Sequence, residues 1–234
     1  MKVIILAGGK GNRLMPITEN LPKPLIKIGG SPIIDRIFKS LPDEITEVII
    51  IVDHLKEKIK SYVGNNFYNY PVTYIDQLST RGTFGALLSA RDFLSPNERF
   101  LVINGDDIHN KNELTKYLSF NRSFGIQKMN MPNYHSIHLT EQNLLEGFYG
   151  QNENEEKNGA LIANGVYVID TNIFEHPGVI LRDGESGLPH TILAQKDQFP
   201  VVGVETHEWI PINSFDDIER AEKKLANVDL NSVM

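Results

Sequence analysis

Apolar and polar positions follow two different periods along this chain. Val3, Ile4 and Ile5 form a β-branched run closed by Leu6, as a strand buried on both faces requires. Ile33, Ile34, Ile37, Phe38 and Leu41 recur at helical spacing instead, with Ser31 and Pro32 in the places of an N-cap and a first helical residue. EVIIIVD, from Glu47 to Asp53, reads as a second buried strand, Leu55 to Val63 as a helix, and Val72 to Asp76 as a third strand. Thr83 to Leu94 predicts a helix that turns Leu87, Leu88 and Phe93 to the core. Arg99 to Asn104 predicts a strand that runs into Gly105, Asp106 and Asp107. This alternation implies an α/β fold: a mixed, mainly parallel sheet flanked by helices in three α/β/α layers.

The rhythm changes in the second half. His135 to Leu139, Leu144 to Tyr149 and Ala160 to Ile169 read as strands with polar turns and little helix between them, which predicts an antiparallel extension. QNENEEKNG, from Gln151 to Gly159, reads as a polar loop. A last helix opens at Ser214 and carries Ile218, Ala221 and Leu225 on one side. No repeat or linker divides the 234 residues, so a single domain over 1–234 is expected, with 1–130 and 131–234 as its halves.

Composition narrows the function classes. A net charge of −7 without a clustered basic surface excludes nucleic-acid binding as the main activity. With no cysteine there is no disulfide, thiolate nucleophile or thiolate metal site. No signal-peptide pattern and no run of bilayer length occurs, so a cytoplasmic location without membrane attachment is expected. Oligomeric state is left open.

The chemistry concentrates where the first strand ends. AGGKGNRLMPITENLPKPL puts Gly8, Gly9 and Gly11, whose backbones reach conformations closed to other residues, beside the Arg13 guanidinium and the Lys23 ammonium. Backbone N–H groups and two cations can converge there on the phosphates of a nucleoside triphosphate. A dinucleotide fingerprint needs a third glycine where Leu14 stands, and a Walker A loop needs Gly-Lys followed by Ser or Thr; neither occurs here. Asp106, directly after an apolar strand, is a candidate ligand for a hard cation, whereas Asp107 reads as a turn cap.

That stretch resembles the signature of the sugar-1-phosphate nucleotidyltransferases, with Asn12 in place of the family's threonine or serine. The resemblance implies a Rossmann-like, GT-A-like catalytic core that joins an NTP to a sugar 1-phosphate with Mg²⁺ as cofactor. It implies a nucleotide site at Leu6, Ala7, Gly8, Gly9, Gly11, Asn12 and Arg13, with Gly105 beneath them and Arg13 and Lys23 as the catalytic cations. QLSTRGTFG resembles the family's base-reading segment. Gln77 there can match a pyrimidine edge, Gly82 lets the backbone approach, and Thr83 offers a hydroxyl, so UTP or dTTP is expected. Asp106 corresponds to the family's metal-binding aspartate. The second ligand falls on Asn213, because Pro211 stands where the W-x-D aspartate is expected.

The acceptor side departs most from the family pattern. Tyr134, Gly147, Gln151, Asn164 and Gly165 are the candidates there, together with Lys23. Arg182, Glu185 and GLPHTIL read as packing, or as a segment that closes the site. Two other functions stay open: a cytidylyltransferase for phosphocholine, with Tyr134, Phe148, Tyr149 and Trp209 as a cage, and a silent nucleotide-sugar-binding regulator.

Overall fold

The computed structural model describes residues 1–78, 80–132 and 134–231. The first half runs β1 (Lys2–Leu6), α1 (Ile17–Asn20), β2 (Lys27–Ile28), β3 (Ser31–Pro32), α2 (Ile33–Ser40), β4 (Glu47–Val52), α3 (Lys56–Val63), β5 (Asn66–Phe67), β6 (Tyr70–Asp76), α4 (Thr83–Leu88), β7 (Arg99–Asn104), β8 (Asp107–Ile108), α5 (Lys111–Leu118) and β9 (Ser123–Met129). The second adds β10 (Ser136–Leu139), β11 (Leu145–Tyr149), α6 (Glu153–Asn158), β12 (Ala160–Asp170), α7 (Leu188–Ala194), β13 (Val202–Glu205), β14 (Ile210–Pro211) and α8 (Phe215–Asn231).

Eight strands form one sheet in the order β13-β9-β12-β7-β1-β4-β6-β5. β7, β1, β4 and β6 are mutually parallel, and β12 inserts antiparallel to both β7 and β9. Burial on both faces explains the unbroken apolar runs: Val3 and Ile5 enter the core beneath α2, α3, α5 and α8, and Ile4 enters the one beneath α4 and α7. No helix among the described residues is long and apolar enough to cross a membrane.

Local differences from the sequence expectation have physical causes. Pro32 is extended (ψ 150°), so Ser31 and Pro32 pair with β2 as a short ribbon and the helix starts at Ile33. α4 stops at Leu88 and gives way to a 3-10 turn at Arg91–Phe93, which leaves Phe93 half exposed instead of in the core. The polar stretch after Gln151 is helical, because Asn152 and Glu155 close a reciprocal capping box that satisfies the first N–H groups of α6. α5 and β9 lie outside the elements expected from the pattern, although Asn110 caps α5 ahead of Leu114, Tyr117 and Leu118 at helical spacing. β9 holds Gly125 and the buried Gln127, whose Oε1 accepts from Trp209 N at 2.9 Å, so its inner face is partly polar.

His109, just after β8, is buried, its Nε2 has no partner among the described residues, and burial lowers its pKa to about 3. The unfolded chain takes up a proton near pH 6.5, so this group stabilises the fold fully above that pH and progressively less as pH falls toward 3. We expect His109→Leu to reduce the stability lost between pH 6.5 and pH 5 by about 1.6 kcal/mol. Urea denaturation at the two pH values measures this; equal losses in both proteins would refute the assignment.

Candidate active site

The carboxyl ends of β7, β1, β4 and β6 lie side by side and deliver Gly105–Asp106, the glycine loop, Asp53 and Gln77 to one edge of the sheet. Close approach is built in at Gly105. Its N–H donates to Leu6 O at 2.9 Å, and a Cβ there would meet Leu6 O at 2.8 Å and Ala7 Cα at 3.2 Å, both immovable backbone. Gly11 has φ +65°, which opens the 3-10 turn that carries Arg13. A Cβ on Gly9 would meet nothing within 4 Å. Among the described residues, the N–H groups of Gly8, Gly9, Lys10 and Gly11 donate to no protein acceptor.

Two joined cavities cover this edge. One, of about 290 Å³, is lined by Gly8, Asp53, Gln77 and Gly82. The other, of about 530 Å³, is lined by Ala7, Arg13, Lys23, Gly105 and Asn213. Leu6, Gly9, Gly11, Asn12, Thr83, Asp106 and Glu185 line both, so they form one cleft with two ends.

At the wider end the charged groups converge. Lys23, only 7 % exposed, places Nζ 2.5 Å from Asp106 Oδ2 and 3.2 Å from Asn213 Oδ1. Arg13 donates to the same Asn213 oxygen at 3.0 Å, and the Asn213 amide donates to the Tyr134 hydroxyl at 3.3 Å. Asp106 and Asn213 therefore turn a carboxylate oxygen and an amide oxygen to the Lys23 ammonium. Both are hard donors, so the pair fits a divalent ion that prefers oxygen ligands. Asp107 is buried on β8 instead. Burial, then the neighbouring Asp106 charge, raise its pKa well above the carboxylate range.

At the narrower end Gln77 is fixed through its backbone N–H to Val52 O at 2.9 Å. Its Oε1 packs so closely over Gly8 that a Cβ there would come within 2.5 Å. The loop carrying Gly82 and Thr83 is pinned by the segment before α7. Ser186 N donates to Arg81 O (2.8 Å), Phe84 N to Ser186 O (2.9 Å), and Leu188 N to the Thr83 hydroxyl (2.8 Å). A Cβ on Gly82 would meet Ser186 O at 2.5 Å.

The acceptor candidates are not all brought together. Tyr134 reaches Asn213, and Gly165 (φ +79°) lies against Asn104 and Asp107. Asn164 is fully buried and donates to the Tyr117 and Thr206 hydroxyls, which makes it a core residue facing no ligand. Gln151 donates to the carbonyls of Met131 and Tyr134 (2.7 Å each) and shapes that loop from behind. Gly147 sits on β11 opposite His138, where a Cβ would strike the Tyr149 ring. The aromatic residues do not form a cage. Trp209 packs with Ala160 and Ile162, Phe148 with a separate core cluster, and Tyr149 against His138. Sequence reasoning missed Asp53, Lys10 and Arg81 as cleft residues and left Glu185 between packing and closure. The position of Asp53 at a strand's carboxyl end was the available signal.

Comparison with known proteins finds relatives both in sequence and in fold. The sequence profile of the nucleotidyl transferase family matches residues 2–148. The chain is 34 % identical over 230 residues to the bifunctional protein GlmU of Methanocaldococcus jannaschii, covering 96 % of this chain and 54 % of that protein. It is 35 % identical over 113 residues to the UTP–glucose-1-phosphate uridylyltransferase AglF of Haloferax volcanii, covering 48 % and 46 %. The chain thus spans about half the length of the curated relatives it matches. In fold it is similar to a UDP-glucose pyrophosphorylase solved with UDP-glucose, with TM-score 0.79, 18 % identity and coverage of 97 % of this chain and 98 % of that one.

Proposed function

Because this chain belongs to the nucleotidyl transferase family, we propose that it transfers a nucleotidyl group from UTP or dTTP to a sugar 1-phosphate, releasing pyrophosphate, with Mg²⁺ as cofactor. The observation that carries this reading is the chain of contacts from Arg13 through Asn213 and Lys23 to Asp106, in a cleft continuous with the unclaimed N–H groups of the glycine loop. An acceptor phosphate oxygen forms a bond to the α-phosphorus, the bond from that phosphorus to the bridging β-phosphate oxygen breaks, and pyrophosphate departs. The attacking oxygen is already anionic, so no side chain has to remove a proton; catalysis rests on alignment and charge stabilisation.

Each cleft residue then has a task. Arg13 and the loop N–H groups hold the triphosphate, and Lys23 neutralises charge at the transferred phosphoryl group. Asp106 and Asn213 would hold Mg²⁺, which supplies further neutralisation of the phosphate oxygens when bound. Gln77 reads a pyrimidine edge from the narrower end, beside Gly82 and Thr83. Lys23 and Tyr134, which both meet Asn213, are the acceptor candidates beside the reacting groups. The name of the Haloferax relative favours UTP with a hexose phosphate.

A pyrophosphate-release screen tests this, pairing ATP, CTP, GTP, UTP and dTTP with glucose, N-acetylglucosamine and mannose 1-phosphates and with phosphocholine. Turnover with UTP or dTTP and a hexose phosphate is expected. Activity confined to GTP would overturn the role of Gln77, and pyrophosphate from no pair would overturn the reading as a whole. The contact between Gly8 and Gln77 gives a finer test. In Gly8→Ala the atom that must yield is the tip of a flexible side chain, so the melting temperature should shift by no more than about 2 °C. Displacement of Gln77 should nevertheless raise KM for the preferred NTP roughly tenfold. An unchanged KM would remove Gln77 from base recognition.

A further inference from the structure

Asp217 lies in the first turn of α8 and is only 5 % exposed, although it is a carboxylate next to the open cleft. Its Oδ2 accepts from the Asn213 backbone N–H at 2.8 Å and from the Ser214 hydroxyl at 2.9 Å, while Oδ1 accepts from the Arg220 guanidinium. An ordinary capping box differs in one respect. There the third helical residue reaches back to the N–H of the N-cap itself. Ser214 is the cap here, since its Oγ accepts from Asp217 N at 3.3 Å, yet the Asp217 carboxylate passes over the Ser214 N–H to that of the residue before it. Helix capping does not require that displacement. What it does fix is the peptide that bears the Asn213 side chain, whose oxygen faces Arg13 and Lys23 and whose nitrogen faces Tyr134.

We infer that Asp217 is a positioning residue: through the Asn213 N–H it sets the amide that, with Asp106, holds the divalent cation. The inference rests on the function proposed above. Asn213 is short, with few rotatable bonds, so a held backbone leaves its oxygen little freedom, whereas a released one lets it follow Arg13 out of the cleft. The carboxylate stands behind Asn213, bonded to the Asn213 N–H, the Ser214 hydroxyl and the Arg220 guanidinium.

Asp217→Asn and Ser214→Ala separate the positioning role from the capping role, because both weaken the start of α8 and only the first takes the charge from the acceptor of the Asn213 N–H. Two readouts apply: the Mg²⁺ concentration for half-maximal pyrophosphate release, and the affinity for Mn²⁺ in the presence of UTP without acceptor, read from the loss of the free-ion EPR signal. In Asp217→Asn both constants should rise at least tenfold; in Ser214→Ala both should stay within twofold of the parent, whatever the change in melting temperature. Asp217→Glu, which keeps the charge and shifts the oxygens, should give an intermediate rise and serves if Asp217→Asn does not fold. Equal shifts in the serine and aspartate variants, or none in either aspartate variant, would overturn the inference while leaving the proposed function intact. A parent protein that releases no pyrophosphate, with Mn²⁺ affinity still sensitive to Asp217, would instead refute the function and spare the positioning role.

Discussion

Lys23→Met is expected to lower kcat by about 10²–10³-fold while changing KM for the nucleotide much less. The argument starts from burial. A lysine 7 % exposed has little contact with water, so its charge is satisfied mainly by Asp106 at 2.5 Å and Asn213 at 3.2 Å. In such a setting a cation acts on nearby phosphate oxygens with little screening, and its effect grows as negative charge builds on the transferred group. Methionine keeps most of the side-chain volume and removes the charge together with the two hydrogen bonds it makes. The structural cost should be about 1–2 kcal/mol, since the Asp106 carboxylate is partly open to water and can hydrate when its partner is lost. Steady-state pyrophosphate release alongside a thermal melt separates the two effects. Turnover within tenfold of the parent protein would remove Lys23 from the chemistry.

Asp106→Asn should produce the second large loss, of about 10²-fold in kcat, with a pronounced increase in the Mg²⁺ needed for half-maximal rate. The substitution keeps shape and one oxygen donor, and removes the negative charge that attracts the cation. It also leaves Lys23 buried between two neutral amides. Losing one partner of a pair this enclosed costs up to about 3 kcal/mol, discounted here because the carboxylate is about one-third exposed. Excess Mg²⁺ should restore part of the turnover in Asp106→Asn and none in Lys23→Met. If the two variants respond to Mg²⁺ alike, the ammonium and the carboxylate do not have the separate tasks assigned to them.

Much of this arrangement was legible in the sequence because it depends on local rules. Strands buried on both faces leave unbroken apolar runs, as in Ile49–Val52 and Phe100–Ile103, and the residue after such a strand lies at the ligand edge of a parallel sheet. The glycine loop, Gln77 and Asp106 all stand at that edge, while the tasks given to Gln77 and Asp106 come from the family resemblance. β9 was not legible in this way, since its inner face serves other residues: Gly125 leaves space for the Asn164 amide, and Gln127 pairs with the Trp209 backbone. Asn164 shows the same limit from the other side. A polar residue near a glycine suggests a hydroxyl ligand, and only tertiary structure reveals that Tyr117 and Thr206 already occupy its donors. The role of Glu185 stayed undecided for a related reason, because the contacts between residues 81–84 and 186–188 bridge a hundred positions of chain and leave no periodic trace.

The place of β12 in the sheet bears on how such a chain can diverge. Its eleven residues come from the second half, yet they lie between β7 and β9 of the first, and β7 ends at the Gly105–Asp106 pair. A recombination crossover anywhere between residues 130 and 159 would therefore combine a β12 from one parent with both flanking strands of another. Two sets of interdigitated side chains and the register that places Asp106 would have to match at once. Acceptor preference is thus expected to drift by point substitution in the loops more readily than by exchange of halves. A viable chimera would have to carry β7, β9 and β12 as one inherited block.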